Sequence, residues 1–168
     1  NARAITKKLG VRHLVLEVDE TAVPVIMENP PDRCYHCKKY LFTKLQALAE
    51  TEGRPTILDG TNADDLTQYR PGLKALKELH VRSPLAECGV TKAEVRQLAS
   101  ELGLKTASRP SSPCLATRLP YYTHVTPALL RQIEAGEGYL KTAGFPIVRL
   151  RVHPEAMGPL ARIEVPVG

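Results

Sequence analysis

The chain has 168 residues, 43% of them hydrophobic, and 23 lysines and arginines against 18 aspartates and glutamates give a formal net charge of +5. That is enough apolar material for a core of ordinary size, and basic residues spread along the whole chain read as a solvated surface rather than a nucleic-acid patch. No apolar run reaches bilayer-spanning length and residues 1–10 lack a signal-like apolar stretch, which leads us to expect a cytoplasmic protein.

The first helix is expected to end at Gly10, and V-R-H-L-V-L-E-V over Val11–Val18 reads as a strand. Leu41, Leu45 and Leu48 lie at helical spacing within Lys38–Thr51, and Arg54–Gly60 reads as the strand that follows. Val81–Leu85 forms a third candidate strand. Thr91-Lys92-Ala93-Glu94 matches a capping box that opens a helix running through Leu98 and Leu102 to a stop at Gly103. Such alternation predicts an α/β fold, a partial Rossmann-like parallel sheet covered by helices. The loop Ser108–Cys114, rich in serine and proline, breaks the rhythm. After Arg118 a smaller α/β unit is expected: Thr126-Pro127 caps a helix that ends at Gly144, and strands follow at Ile147–Val152 and Leu160–Val165. The expected division is therefore 1–118 and 119–168. A chain that opens within a helix and stops directly after a strand also reads as a piece of something longer.

Four groups of residues could carry chemistry. Asn29-Pro30-Pro31-Asp32-Arg33-Cys34-Tyr35-His36-Cys37-Lys38-Lys39 reads as a C-x-x-C in a proline-shaped loop before a helix. Its cysteines could bind one metal or cycle as a dithiol, and nearby Arg33, Lys38 and Lys39 would favour the thiolates; half of a structural zinc site is the alternative. Cys114 stands alone in the Ser-Pro loop, a polar setting that suits a ligand better than a packed thiol. With Cys34 and Cys37 it would leave one iron of a cubane [4Fe-4S] cluster open to an exogenous sulfide. Cys88 reads as a packing or loop residue.

The run D-G-T-N-A-D-D over Asp59–Asp65, with Tyr69-Arg70-Pro71-Gly72 after it, places carboxylates and an arginine at the C-terminal end of a strand, where open α/β sheets bind ligands. Mg2+ and a polyphosphate would suit that set, although an acidic, helix-capping loop explains it equally. The last group is basic: Arg118, then Arg149 and Arg151 at alternate positions of one strand, and Arg162 on the next. Converging arginines suit a phosphate or carboxylate. His36, His124 and His153 read as surface or core residues.

N-P-P-D-R-C-Y-H-C-K-K, D-G-T-N-A-D-D-L-T-Q-Y-R-P-G-L-K-A-L, S-P-L-A-E-C-G-V-T-K-A-E-V-R and P-C-L-A-T-R-L-P-Y, in that order and covering nearly the whole chain, together resemble the LarE-type sulfur transferases of the PP-loop ATP pyrophosphatase superfamily. The resemblance implies a PP-loop ATPase-like domain followed by a substrate and oligomerisation domain, in a homo-oligomer. It implies ATP-dependent adenylylation of a pyridinium dicarboxylate mononucleotide and sulfur insertion, in building a nickel-pincer cofactor. ATP, Mg2+ and a [4Fe-4S] cluster are the implied cofactors. By the same resemblance Cys34, Cys37 and Cys114 match the cluster cysteines and should converge. Lys38, Asp65 and Arg70 resemble positions near the ATP phosphates and metal, and Glu137 and Arg149 resemble positions proposed at the substrate site.

Two departures stand out. Tyr122 occupies the glycine position of a P-Y-G-T turn, and the glycine-rich PP-loop is missing, so the chain alone is expected to bind ATP poorly and to be inactive by itself. A PP-loop tRNA thiolase is the enzymatic rival; with no Trp and two Phe the chain offers little for base stacking, and nucleic acid is not an expected partner. A non-catalytic zinc scaffold, the other rival, leaves the D-G-T-N-A-D-D and Y-R-P-G-L-K motifs without a purpose.

Overall fold

A computed structural model describes residues 2–166. Among these the chain is α/β, with helices α1 Ala2–Leu9, α2 Pro24–Met27, α3 Arg33–Thr51, α4 Ala63–Leu66, α5 Gly72–Glu78, α6 Pro84–Glu87, α7 Lys92–Glu101 and α8 Pro127–Thr142, and strands β1 Arg149–His153 and β2 Leu160–Glu164. None of these helices is long and apolar enough to cross a membrane. The described chain forms two compact units. One comprises the residues through Asp19 with Lys38–Arg109, the other Glu20–Cys37 with the chain from Pro110 onward.

Local signals place most of the first unit's helices. Thr91 and Glu94 form the expected capping box at α7, each side chain accepting a backbone N–H of the other. Asn62 and Asp65 form a second one at α4. Asp64 accepts the Lys92 N–H at 2.6 Å, so the two neighbouring aspartates each serve a different helix start. At the far end of α7, Lys8 donates to the carbonyls of Leu102 and Gly103, both at 2.8 Å. Ala75, Leu76 and Val81 are the buried apolar side chains here.

The expected parallel sheet reduces to one parallel bridge, Leu58 with Arg82. It is closed by Asp59 N–H to the Arg82 carbonyl at 2.9 Å and Arg82 N–H to the Ile57 carbonyl at 3.0 Å. Val11–Val18 is not a strand: it has the β-branched composition, but it pairs with no strand among the described residues, and Val11, Leu14 and Val15 are exposed. Propensity makes a run suited to a sheet; only a partner's backbone makes it a strand.

The second unit packs α8 and the antiparallel β1–β2 pair, in register Arg149 with Glu164 through His153 with Leu160, around the 3-10 turn Leu115–Arg118. Its core is Met27, Ala116, Leu119, Val125 and Ile133, with Leu129, Leu130 and Val152 against it. Thr126 caps α8, its hydroxyl accepting the Leu129 N–H at 3.1 Å. A Cβ on Gly136 would lie 2.5 Å from Leu150 Cδ2, so a side chain there would make that leucine methyl turn aside where α8 meets β1.

Tyr122, at the position where a glycine was expected, is left-handed with φ 62°, and its N–H donates to the Asn29 carbonyl at 2.9 Å. Its ring is exposed and returns little burial for that backbone cost. Tyr122→Gly is therefore expected to raise stability by about 1 kcal/mol, measured by urea denaturation.

Candidate functional site

The chemistry-bearing residues fall into two sets, one in each unit. After α2 ends at Met27, a short turn through left-handed Asn29 leads to α3, which starts at Arg33, so Cys34 and Cys37 lie in the first turns of a helix and not in a loop before it. Three positions apart, they share a helix face. Cys34 is exposed and Cys37 half-buried, and Cys37 Sγ donates to Glu20 Oε1 at 3.3 Å. Burial, then the Glu20 hydrogen bond, then the negative charges of Glu20, Cys114 and Cys34 push the Cys37 thiol up to about 12. The expected thiolate-favouring setting is thus reversed at Cys37, because the nearest charged partner is a carboxylate.

Cys114 is exposed and stands at the N-cap of the 3-10 turn, its carbonyl accepting the Thr117 N–H at 3.0 Å and the Thr117 hydroxyl at 2.7 Å. It belongs to the same unit as Cys34 and Cys37, and both other cysteines act electrostatically on Cys37. All are free thiols. Among the described residues no three His, Cys, Asp or Glu side chains are already arranged to hold a metal ion. As a donor set the three thiols are soft and suit iron–sulfur or zinc chemistry, provided Cys37 gives its proton up.

The basic set has a different geometry from the expected arginine cradle. Arg118 is buried and paired with buried Glu137, Nε to Oε1 at 2.6 Å and Nη2 to Oε2 at 3.3 Å. Glu137 also accepts the Leu150 N–H at 3.1 Å and faces Lys141 Nζ at 3.7 Å. Burial alone would push the Glu137 carboxyl up, but the hydrogen bonds from Arg118 and Leu150 and the charges of Arg118 and Lys141 hold it below the usual range. Arg151 pairs with Glu164 at 2.7 Å and donates to the Thr117 carbonyl at 2.9 Å. Arg149 is exposed on the same strand face, and Arg162 pairs with Glu164 at 3.1 Å.

In the other unit, Lys38 Nζ lies 3.4 Å from Asp59 Oδ2, while Arg70 pairs with Asp65 at 2.7 Å. Asp59, which opens the acidic run singled out in the sequence, is a hydrogen-bond hub. It accepts from the Ser83 and Thr61 hydroxyls, each at 2.6 Å, and from the Thr61 N–H at 3.1 Å. Burial would raise its carboxyl, but those hydrogen bonds and the Lys38 charge hold it below its usual range. The D-x-T spacing of Asp59 and Thr61 was the available signal, an Asx-type turn. Glu20 gave none, since its partner Cys37 lies 17 positions away.

Two measurements check this electrostatic picture. Cys37, its thiol held protonated, should react with iodoacetamide at pH 8 at least about tenfold more slowly than Cys34 or Cys114, read by peptide mass spectrometry. Glu137→Gln should destabilise the fold by about 3 kcal/mol at pH 7, because buried Arg118 loses its counter-charge. Since Glu137 is depressed in the folded state, that stabilisation is complete above the ordinary glutamate value of 4.5 and lost as pH falls through the lower folded value. The gap between wild type and variant should therefore close in acid.

No family model matches the chain. It is 42% identical over 166 residues to the uncharacterized protein slr1717 of Synechocystis, covering 99% of this chain and 60% of that one. It is 38% identical over 165 residues to the pyridinium-3,5-bisthiocarboxylic acid mononucleotide synthase of Lactiplantibacillus plantarum, covering 98% of this chain and 58% of that one. A more distant relative is the tRNA-specific 2-thiouridylase MnmA of Rickettsia rickettsii, 27% identical over 140 residues, 67% of this chain and 38% of that one. The chain thus spans about three fifths of the length of its nearer relatives. Matched over 98% of its length by that synthase, the chain belongs to the LarE-type sulfur-transferase family of the PP-loop superfamily.

Proposed function

We propose that the protein is an ATP-dependent sulfur transferase that adenylylates a carboxylate of a pyridinium mononucleotide and replaces its oxygen with sulfur, in nickel-pincer cofactor biosynthesis. The observation that supports this reading is that a chain 38% identical to a bisthiocarboxylate synthase carries Cys34, Cys37 and Cys114 in one and the same unit. In this reading residues 1–118 serve ATP and residues 119–168 serve the substrate and assembly into a homo-oligomer in the cytoplasm.

The carboxylate oxygen attacks the α-phosphorus of ATP, the bond to pyrophosphate breaks, and the acyl-adenylate forms. Lys38 and Arg70 neutralise charge on the departing pyrophosphate, and Asp65 offers a carboxylate to Mg2+. Asp59 and Asp65 already hold those two cations, so their positions are prepared before ATP arrives. Arg149 and Arg151, on one face of β1, receive the anionic groups of the substrate, with Arg118 and Glu137 holding that strand in place. Cys34, Cys37 and Cys114 would hold a [4Fe-4S] cluster, which when bound supplies an iron site for the sulfide to be transferred. Sulfide held there would attack the activated carbonyl carbon and leave its carrier, while the carbon–oxygen bond to AMP breaks and the thiocarboxylate remains.

Activation and transfer use different groups, and that separation is testable. In the intact protein Cys114→Ala should abolish thiocarboxylate formation while pyrophosphate release stays within about threefold of wild type. Equal loss of both activities would instead mark Cys114 as a folding ligand. Thiolation at the wild-type rate in a folded variant would remove Cys114 from the mechanism.

A further inference from the structure

Arg33 is a buried guanidinium whose hydrogen-bond partners among the described residues include no carboxylate. Its Nη1 donates to the Asn29 side-chain oxygen and, at 3.2 Å, to the Ala116 carbonyl. Asn29 is fully buried, left-handed at φ 55°, and its Nδ2 donates to the Pro120 carbonyl at 2.7 Å. The Asn29 carbonyl accepts the Tyr122 N–H, and the Met27 carbonyl accepts the Val125 N–H at 2.7 Å. Two segments more than 80 positions apart are therefore laced together, and each carries sulfur: Arg33 directly precedes Cys34, and Ala116 lies two residues beyond Cys114. An interior charge held only by neutral acceptors is costly, and those acceptors are the groups that fix the two segments against each other.

We propose that Arg33 is a positioning residue: by donating at once to Asn29 and to the Ala116 carbonyl, it seats the Cys114 turn against the start of α3 and sets the separation of Cys114 from Cys34 and Cys37. Its consequence for catalysis rests on the sulfur-transfer reading; the geometry does not. The field of Cys114 at Cys37 agrees with the placement.

The test uses dibromobimane, a short reagent that fluoresces when it bridges two thiols, on the intact protein carrying Cys88→Ser, with bridges mapped by peptide mass spectrometry. Cys114 should bridge to Cys34 or Cys37 in the otherwise wild-type chain. Arg33→Met should slow that bridge by about tenfold, the loss expected for a charge-assisted hydrogen bond, while the Cys34–Cys37 bridge within α3 keeps its rate. Arg33→Lys, whose ammonium retains donors for both acceptors, should restore bridging to within about threefold of wild type. No bridge to Cys114 in the parent, a wild-type rate in Arg33→Met, or equal slowing of both bridges would each overturn the proposal. If Arg33→Met fails to fold, Arg33→Lys decides: folded and bridging supports it, while folded but slow, or unfolded, overturns it. Thiocarboxylate and pyrophosphate assays run alongside separate the two ideas. A parent that releases no pyrophosphate sinks the proposed function and leaves the bridging result standing.

Discussion

Everything in the second unit turns on one carboxylate. Glu137 projects from α8 and collects the Arg118 guanidinium, the Leu150 N–H and the Lys141 ammonium, so a single buried anion joins the helix, the 3-10 turn and β1. Taking two charges out of water costs several kcal/mol per ion unless each remaining lone pair and proton finds a partner. Here the pairing is bidentate and supplemented by a backbone donor, which is the condition under which such a pair holds. Gly136 leaves the Leu150 side chain room beside α8, since a Cβ there would meet its Cδ2 at 2.5 Å.

The first unit repeats the device with Asp59. It sits just beyond the parallel bridge, receives the Ser83 and Thr61 hydroxyls from two loops, and keeps Lys38 beside it. In both units a depressed carboxylate, held ionised by several donors, anchors a segment that propensity alone would leave loose. Such anchors are directional where hydrophobic burial is not, and a site that must place sulfur or phosphate needs direction.

The sulfur-bearing turn illustrates the point. Consecutive carbonyls, Ala116 and Thr117, accept from Arg33 and Arg151, and the next residue, Arg118, is itself pinned by Glu137. Three arginines thus fix a four-residue turn whose first neighbour is Cys114. Beside that support, burial and then the Glu20 hydrogen bond push the Cys37 thiol up, which disfavours its thiolate. Of the basic set, Arg118 and Arg151 are tied into the turn, while Arg149 and Arg162 are exposed.

By itself the sequence determined what depends on near neighbours. The caps at Thr91 and Thr126, the ends of α7 and α8, the final strand pair and the order of four motifs that mark the family were all legible, because a cap or a helical period is settled within a few residues. Tertiary structure alone decided the rest. Val11–Val18 has strand composition but no partner, the C-x-x-C proved helical once the Asn29 turn started α3 early, and Arg118 found Glu137 instead of open solvent. Sequence spacing cannot report these outcomes, since each is an energy of pairing or burial between residues distant along the chain, as Arg33 and Ala116 are at 83 positions.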